Sequence, residues 1–437
     1  MKEIKANVQD FLKSRQMDYE DIDIEKNCKI FLEEMEKGLA GTGSSLEMIP
    51  TYIEAGKVLP CNEPVIAVDA GGTNFRVATV YFDKNRKPVI ENSKIYPMPG
   101  VKHNVSKKEF FRAMAAYIKD VIDSSKKIGF CFSYATEIFP NKNGKLICFS
   151  KEIKAPEVIG ELVGENIKLA LDDLGSDSNK HIVLLNDTVT TLLAGQAAFD
   201  NRIFDTYIGF ILGTGTNCCY VEENKNITKK KDLDPAKSQI INIESGAYGK
   251  GPRGSIDIEF DESTNNPGIN VFEKMISGAY LGPLCLMTAC QAAEQGLFSD
   301  AVAAKLKQTK QLETKDISDF MYYPQSDNNP LARICKAGNE KDRLALYWLL
   351  DRLTERAAKL TAINLSSAVL KGRKGENPCA PVCIVAEGTT FYELKSLKSR
   401  VEFYLKDYLE NKKQRFYEIV NIENATLIGA AIAGLTN

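Results

Sequence analysis

Apolar and polar positions follow two rhythms along this chain. Ile24, Cys28, Phe31, Met35 and Leu39 recur at helical spacing, and residues 1–60 read as helical, punctuated by Gly38 and Gly41. The rhythm then shortens. Residues 65–69 form an apolar strand, Gly71 and Gly72 a turn, residues 75–82 a second strand and 89–96 a third, after a turn signal at 83–88. Phe110, Phe111, Met114, Tyr117, Ile118, Val121 and Ile122 mark one face of a helix. A buried strand follows at 128–133, a helix at 158–174, a strand at 182–187 and a helix reaching Phe199.

A similar order then begins again. Residues 207–212 read as a strand, 213–216 as a turn, 217–222 and 239–244 as strands, and 271–298 and 342–370 as long helices. The chain ends with a strand at 382–386, a helix at 392–409, a strand at 417–420 and a helix at 425–434. The topology repeats without obvious repetition of sequence. Each half opens with a strand, a glycine turn and a strand: Asp69, Gly71, Gly72, Thr73 and Asn74 in the first, Gly213, Thr214, Gly215, Thr216 and Asn217 in the second. Two such lobes facing each other enclose a cleft, and the paired glycine turns suggest a nucleotide held between them.

Composition narrows the chemistry. At 437 residues the chain is too long for one hydrophobic core and calls for two or three domains. Lys plus Arg is 56 and Asp plus Glu is 58, a net charge of -2. That balance argues against nucleic-acid binding through a large basic surface and against a polybasic membrane face, so any bound anion needs a local site. His103 and His181 are the two histidines, both read as surface or strand-edge residues, so a carboxylate is the better candidate base. The 11 cysteines form no CxxC pair and read as small hydrophobes of a reduced, cytoplasmic protein. The first residues lack the apolar core of a signal peptide, and the apolar stretch at 427–435 is too short to span a bilayer.

Several residues stand where chemistry is done. Glycine lets backbone N–H groups approach phosphate oxygens, and the neighbouring threonines add hydroxyl donors; an ordinary hairpin is the competing reading of either turn. Asp69, at a strand end, suits a magnesium ion held directly or through water. Asn186 and Asp187 end an apolar strand just before a helix, where Asp187 either caps the helix or, with Thr188 as cap, is freed as a general base. Ser133, Ser150, Lys151, Glu244 and Glu273 also stand at strand ends or helix starts. Carboxylates, an amide, hydroxyls and an ammonium together suit a polyhydroxylated ligand, whose hydroxyls both donate and accept.

Taken together, these strings resemble the hexokinase and glucokinase family of eukaryotic type, within the actin-like sugar kinase superfamily. DAGGTNFRV at 69–77 resembles the family's first phosphate segment, FCFSY at 130–134 with Ser150 and Lys151 its sugar segment, and LNDTV at 185–189 the segment of its catalytic aspartate. LGTGTNCCYVEE at 212–223 resembles the second phosphate segment. NIESGAYG at 242–249, NPG at 266–268 and FEKMISG at 272–278 resemble the segments of the sugar-binding glutamates, and EGT at 387–389 the adenosine segment.

The resemblance implies an α/β, two-lobed, ribonuclease H-like fold, each lobe a mixed sheet flanked by helices. The implied division is residues 1–63 and 188–426 in a large lobe, 64–187 in a small lobe, and a final helix at 427–437 returning to the small lobe. It implies ATP-dependent phosphorylation of a hexose, D-glucose foremost, at the 6-hydroxyl. Asp187 would be the base, and Ser133, Ser150, Lys151, Asn186, Asn217, Glu244 and Glu273 would hold the sugar. Asp69 would position Mg2+, with Gly71, Gly72, Thr73, Asn74, Arg76, Thr214 and Gly215 around the phosphates and Gly388 and Thr389 at the nucleoside. Four positions depart from the family pattern: Ala135 for proline, Ser150 for threonine, Ser245 for tryptophan and Glu387 for aspartate. The rival readings are a catalytically silent sugar sensor on the same fold and an actin-like ATPase. The expected partners are a hexose and ATP, with no nucleic acid or membrane; monomer and homodimer both stay open.

Overall fold

The computed structural model describes residues 1–149, 153–197 and 202–437. Its strands are β1 (Ile49–Pro50), β2 (Val65–Ala70), β3 (Asn74–Phe82), β4 (Pro88–Pro97), β5 (Lys127–Phe132), β6 (Ala135–Ile138), β7 (Gly144–Cys148), β8 (His181–Leu185), β9 (Thr206–Leu212), β10 (Thr216–Glu223), β11 (Ser238–Asn242), β12 (Val382–Glu387) and β13 (Tyr417–Val420). The first helices are α1 (Lys2–Ser14), α2 (Ile24–Ala40), α3 (Lys107–Lys119), α4 (Val163–Asp173), α5 (Asp187–Ala194), α6 (Ser255–Ser263), α7 (Glu273–Ile276) and α8 (Leu281–Glu294). They are followed by α9 (Asp300–Gln308), α10 (Thr314–Tyr322), α11 (Pro330–Cys335), α12 (Glu340–Gly372), α13 (Thr389–Glu393), α14 (Leu397–Leu405) and α15 (Ala425–Thr436).

Two sheets share one wiring. One runs β4-β3-β2-β5-β8 and the other β11-β10-β9-β12-β13, with β1 added beyond β11. In each, the first three strands are antiparallel and the last two lie parallel to the first strand. The central strand β2 reads Val-Ile-Ala-Val-Asp-Ala and is buried throughout, as a strand covered on both faces must be. Ile66 and Val68 face α3 and α4, while Val65 and Ala67 face the core that contains α5 and α15.

That second core joins the sheets. Helix α5 follows β8 but packs on β9, β10 and β12; α15 follows β13 but packs on β2 and β5; and the two helices pack on each other. The approach is backbone to backbone. A Cβ on Gly129 would lie 1.7 Å from the Ala430 carbonyl oxygen, and one on Gly429 would lie 1.8 Å from that of Thr190. Helix α12, 33 residues long, runs through the larger body with buried cations on its flanks. Each is paired: Arg352 with Asp18, Arg356 with Asp257 and Lys371 with Glu222. Pairing is what makes burial of such charges tolerable.

Several expected elements change. The N-terminal helical region ends at Ala40, because Gly41 turns left-handed at φ 70°; the chain then runs on to β1, where Ile49 pairs with Asn242. The helix expected at 158–174 begins at Val163, after Gly160 with φ 88°. The helix expected at 271–298 splits into α7 and α8, since the Gly278 N–H is drawn to the Gly213 carbonyl at 2.8 Å. The helix expected at 392–409 divides into α13, α14 and a π-helical turn at Lys406–Lys412. The strand expected to reach Asp187 ends at Leu185, and Phe199 lies outside the described residues. The hairpin β6–β7 and helices α9, α10 and α11 had no counterpart in the sequence reading. All 11 cysteines are free thiols, and Cys148, expected among the apolar ones, is exposed. Among the described residues no helix is long and apolar enough to cross a membrane.

The glycine contacts give a stability test. Gly129→Ala must push apart two backbones and should cost about 3 kcal/mol or more, read as a lower unfolding midpoint. Gly372→Ala, at a position with open space around it, should leave the midpoint within about 1 °C. Equal midpoints for the two variants would refute the close approach.

Candidate functional site

The two glycine turns close the β2–β3 and β9–β10 hairpins. In the first, the Gly71 N–H donates to the Asn74 carbonyl at 3.0 Å and the Thr73 carbonyl accepts from the Met98 N–H at 2.9 Å. Gly71 and Gly72 are half-buried, and Thr73 and Asn74 are exposed. In the second, the Gly213 N–H donates to the Gly215 carbonyl at 2.9 Å. The Gly213 carbonyl accepts from the Gly278 N–H at 2.8 Å and the Thr390 hydroxyl at 2.9 Å. Gly388 stands at φ 114°, and a Cβ there would meet the Leu212 carbonyl oxygen at 2.3 Å. A cavity of about 620 Å³ opens beside this turn, lined among others by Thr214, Gly278, Thr389, Thr390, Glu313, Lys315 and Asp319. Thus Thr214 and Thr389 share one space.

Asn186, Asn217, Glu244 and Glu273 gather toward the other side. Glu244 follows β11 in the left-handed region, φ 56°, a strained conformation for a residue with a Cβ. Its Oε1 accepts from Asn242 Nδ2 at 2.6 Å and from Asn217 Nδ2 at 3.2 Å. Burial pushes the Glu244 carboxyl up to about 7; the Asn242 hydrogen bond opposes this, and the charges of Glu47, Asp187 and Glu273 add to it. Glu273 opens α7, and its Oε2 accepts from the Thr216 N–H at 2.9 Å. A Cβ on Gly215 would lie 2.5 Å from that Oε2, so the glycine of the second turn makes room for the glutamate. A narrow cleft joins Asn186 and Glu244 with Asn242, Tyr134, Thr136 and Thr51.

Asp187 is the first residue of α5 and is half-buried. The helix cap is neither Asp187 nor Thr188 but Asn186, whose Oδ1 accepts from the Thr188 N–H at 2.9 Å. Asp187 Oδ1 accepts from the same N–H at 2.8 Å. Its carbonyl accepts from the hydroxyls of Thr190 and Thr191, at 2.6 and 2.9 Å, which fixes the first turn. Ser133 follows β5, half-buried, with its N–H on the Ala70 carbonyl at 3.1 Å. Ser150 and Lys151 lie outside the described residues.

Asp69 and Arg76 turn to each other. Asp69 Oδ2 accepts from Arg76 Nη2 and Nε, the latter at 3.0 Å, and from the Thr426 hydroxyl at 2.8 Å. Arg76 also reaches Thr426 at 3.0 Å and Asn424 at 3.5 Å. Among the described residues, no group of three His, Cys, Asp or Glu side chains could hold a metal ion. Across from Asp69, Glu387 ends β12; burial raises its carboxyl to about 7, against the pull of Arg76 and with a push from Asp69 and Asp187.

Three contributors escaped the sequence reading. Asn242 stands two residues before Glu244, and the period of a strand was the signal that could have paired them. Lys274, next to Glu273, is buried and bonded to Asp261 Oδ1 at 2.6 Å, Thr264 at 2.9 Å and the Asn266 carbonyl at 2.7 Å, tying down the Asn266–Pro267–Gly268 loop. Thr426 carried no signal, since its partner lies 357 residues away. Of the departures, Ser245 is buried and accepts from Asn364 Nδ2 at 3.1 Å, and Ala135 opens β6.

Two family models, each described as hexokinase, match residues 7–197 and 207–436. Hexokinase-2 of Homo sapiens is 31% identical over 369 residues, covering 80% of this chain and 40% of its own length. Glucokinase-1 of Kluyveromyces lactis is 32% identical over 394 residues, covering 80% of this chain and 81% of its own. The chain thus spans less than half the length of the mammalian relative and most of the yeast one. Among solved structures, a hexokinase from Schistosoma mansoni complexed with glucose superposes with a TM-score of 0.79, covering 100% of this chain and 99% of that one. At 23% identity that likeness concerns the fold: both have the two-lobed actin-like architecture.

The Glu244 network makes its own prediction. Asn242→Ala removes a donor that favours the charged carboxylate, so Glu244 should titrate at higher pH than in the parent protein. Carboxyl carbon-13 shifts followed from pH 5 to 9 read this directly, and an unchanged or lower midpoint would refute the network.

Proposed function

This chain belongs to the hexokinase family, and on that premise we propose that it transfers the γ-phosphoryl group of ATP to the 6-hydroxyl of a hexose, D-glucose foremost. The observation that carries the reading is the convergence of Asn217, Asn242, Glu244 and Glu273 beside Asn186 and Asp187, with a glycine turn of each sheet nearby. Amide and carboxylate groups alternate there, as paired donors and acceptors on a sugar ring require. In this reading Ser133, Asn186, Asn217, Glu244 and Glu273 hold the sugar together with Ser150 and Lys151, which lie outside the described residues.

Asp187 acts as general base. Its position at the start of α5, pinned by Thr190 and Thr191, keeps the carboxylate at a fixed depth. It takes the 6-hydroxyl proton as the oxygen attacks phosphorus and ADP departs. Gly71, Gly72, Thr73 and Asn74 on one side, with Thr214 and Gly215 on the other, surround the phosphates, and the cavity beside Gly388 and Thr389 takes the nucleoside. Arg76 joins them around the phosphates while its guanidinium is held by Asp69. Magnesium would come on the nucleotide as part of the substrate and neutralise phosphate charge, and Asp69 would hold it directly or through water. The lobes close on the sugar, excluding water from the phosphoryl group.

Two measurements test this. In a coupled ADP-release assay over a panel of hexoses, Asp187→Ala should lower turnover about 100- to 10,000-fold while calorimetry still detects glucose binding. Near-normal turnover would remove Asp187 from the role, and no hexose-stimulated ADP release from the parent protein would favour a silent sugar sensor. The second is pH dependence. Glu244 accepts sugar hydroxyls as the carboxylate, and that form is lost as pH falls through about 7. The hexose KM should therefore rise below that pH. Glu244→Gln should weaken binding and flatten this limb; a limb retained in the variant would assign it to another group.

A further inference from the structure

Tyr134 is buried beneath the first glycine turn, 2% exposed, and its hydroxyl donates a 2.7 Å hydrogen bond to the Gly71 carbonyl. Its ring is held edge-on by Phe132 and Phe149, with centroids 4.9 and 5.0 Å away, so the hydroxyl cannot swing off without moving both. The bond has a directional consequence. In a trans peptide the N–H points opposite to the carbonyl of the same plane. Holding the Gly71 oxygen toward Tyr134 therefore aims the Gly72 N–H at the opposite side.

This matters because the 71–72 peptide joins two glycines and has little intrinsic preference for one orientation. Its neighbours are fixed by the backbone: the Ala70 carbonyl accepts from the Ser133 N–H at 3.1 Å, the Gly71 N–H donates to Asn74, and the Thr73 carbonyl accepts from Met98. Of the carbonyls at 70, 71 and 73, Gly71's is the one anchored by a side chain. That side chain follows directly on Ser133, in the proposed sugar segment.

We propose that Tyr134 is a positioning residue for the nucleotide: its hydroxyl sets the 71–72 peptide so that the Gly72 N–H faces the phosphates. The proposal rests on the hexose-kinase reading for the identity of both ligands. A purely structural phenol, satisfied by whichever carbonyl lay nearby, would affect both substrates or neither.

Tyr134→Phe in the full chain keeps the ring and removes the bond. Calorimetry should show MgATP affinity weakened roughly 3- to 10-fold, the worth of one neutral hydrogen bond, with a matching rise in the MgATP KM. Glucose affinity should stay within about twofold, and the unfolding midpoint within a few degrees. Tyr134→Leu, which also removes the ring, should weaken both ligands. Unchanged MgATP affinity in Tyr134→Phe, or equal losses for MgATP and glucose, would overturn the proposal. If the parent protein released no ADP with any hexose, the kinase reading would fall, and MgATP binding alone would still decide the role of the tyrosine.

Discussion

The contact on which the rest depends is the crossing of α5 and α15. Each helix leaves the sheet that precedes it and lies against the other sheet. The crossing is possible because Gly429 admits the Thr190 carbonyl, and α15 seats on β5 because Gly129 admits that of Ala430, where any side chain would collide. Both helices open toward the cleft. Asp187 begins α5, and Thr426, the second residue of α15, reaches Asp69 at the end of β2. The proposed base and the partner of Asp69 are thus mounted on the two elements that join the sheets.

The cleft handles charge by crowding rather than by a field. The chain as a whole is nearly neutral. Yet Glu47, Asp187 and Glu273 sit close enough to Glu244 to add to the rise of its carboxyl, and Glu244 and Glu387 are each brought to about 7, chiefly by burial. Neutral amides from Asn217 and Asn242 and backbone N–H groups such as that of Thr216 steady these carboxylates without cancelling them. Such a site is acceptor-rich, which suits hydroxyls. In the proposed reaction the triphosphate is met elsewhere, by backbone N–H groups at the glycine turns. The separation of acceptor-rich and donor-rich zones gives the cleft a direction.

Much of this was legible in the chain. Paired glycine turns and the repeated strand order announced two sheets of one wiring, and the apolar strand before Asn186 and Asp187 is β8. The family strings located Glu244 and Glu273, which the structure hydrogen-bonds to the adjacent residues Asn217 and Thr216 respectively. What failed to show had long-range causes. The break at Ser277 and Gly278 comes from a bond to Gly213, and the Asp69 carboxylate is claimed by Thr426, near the other end of the chain. Local periodicity carries no record of such partners. The helical reading of residues 41–60 failed for a nearer reason: Gly38 lies under Met48, where a Cβ would sit 2.4 Å from Met48 Cγ, so the chain folds back there.

The left-handed backbone of Glu244 carries a consequence for how such a protein can change. Glycine would occupy φ 56° without penalty, and would also relieve the burial of a carboxyl that prefers water. The fold alone would therefore gain from losing this glutamate. Selection for thermal robustness, with no ligand present, would erode the site at that position first, whereas a chain that keeps glutamate there records continuing demand for what the cleft holds.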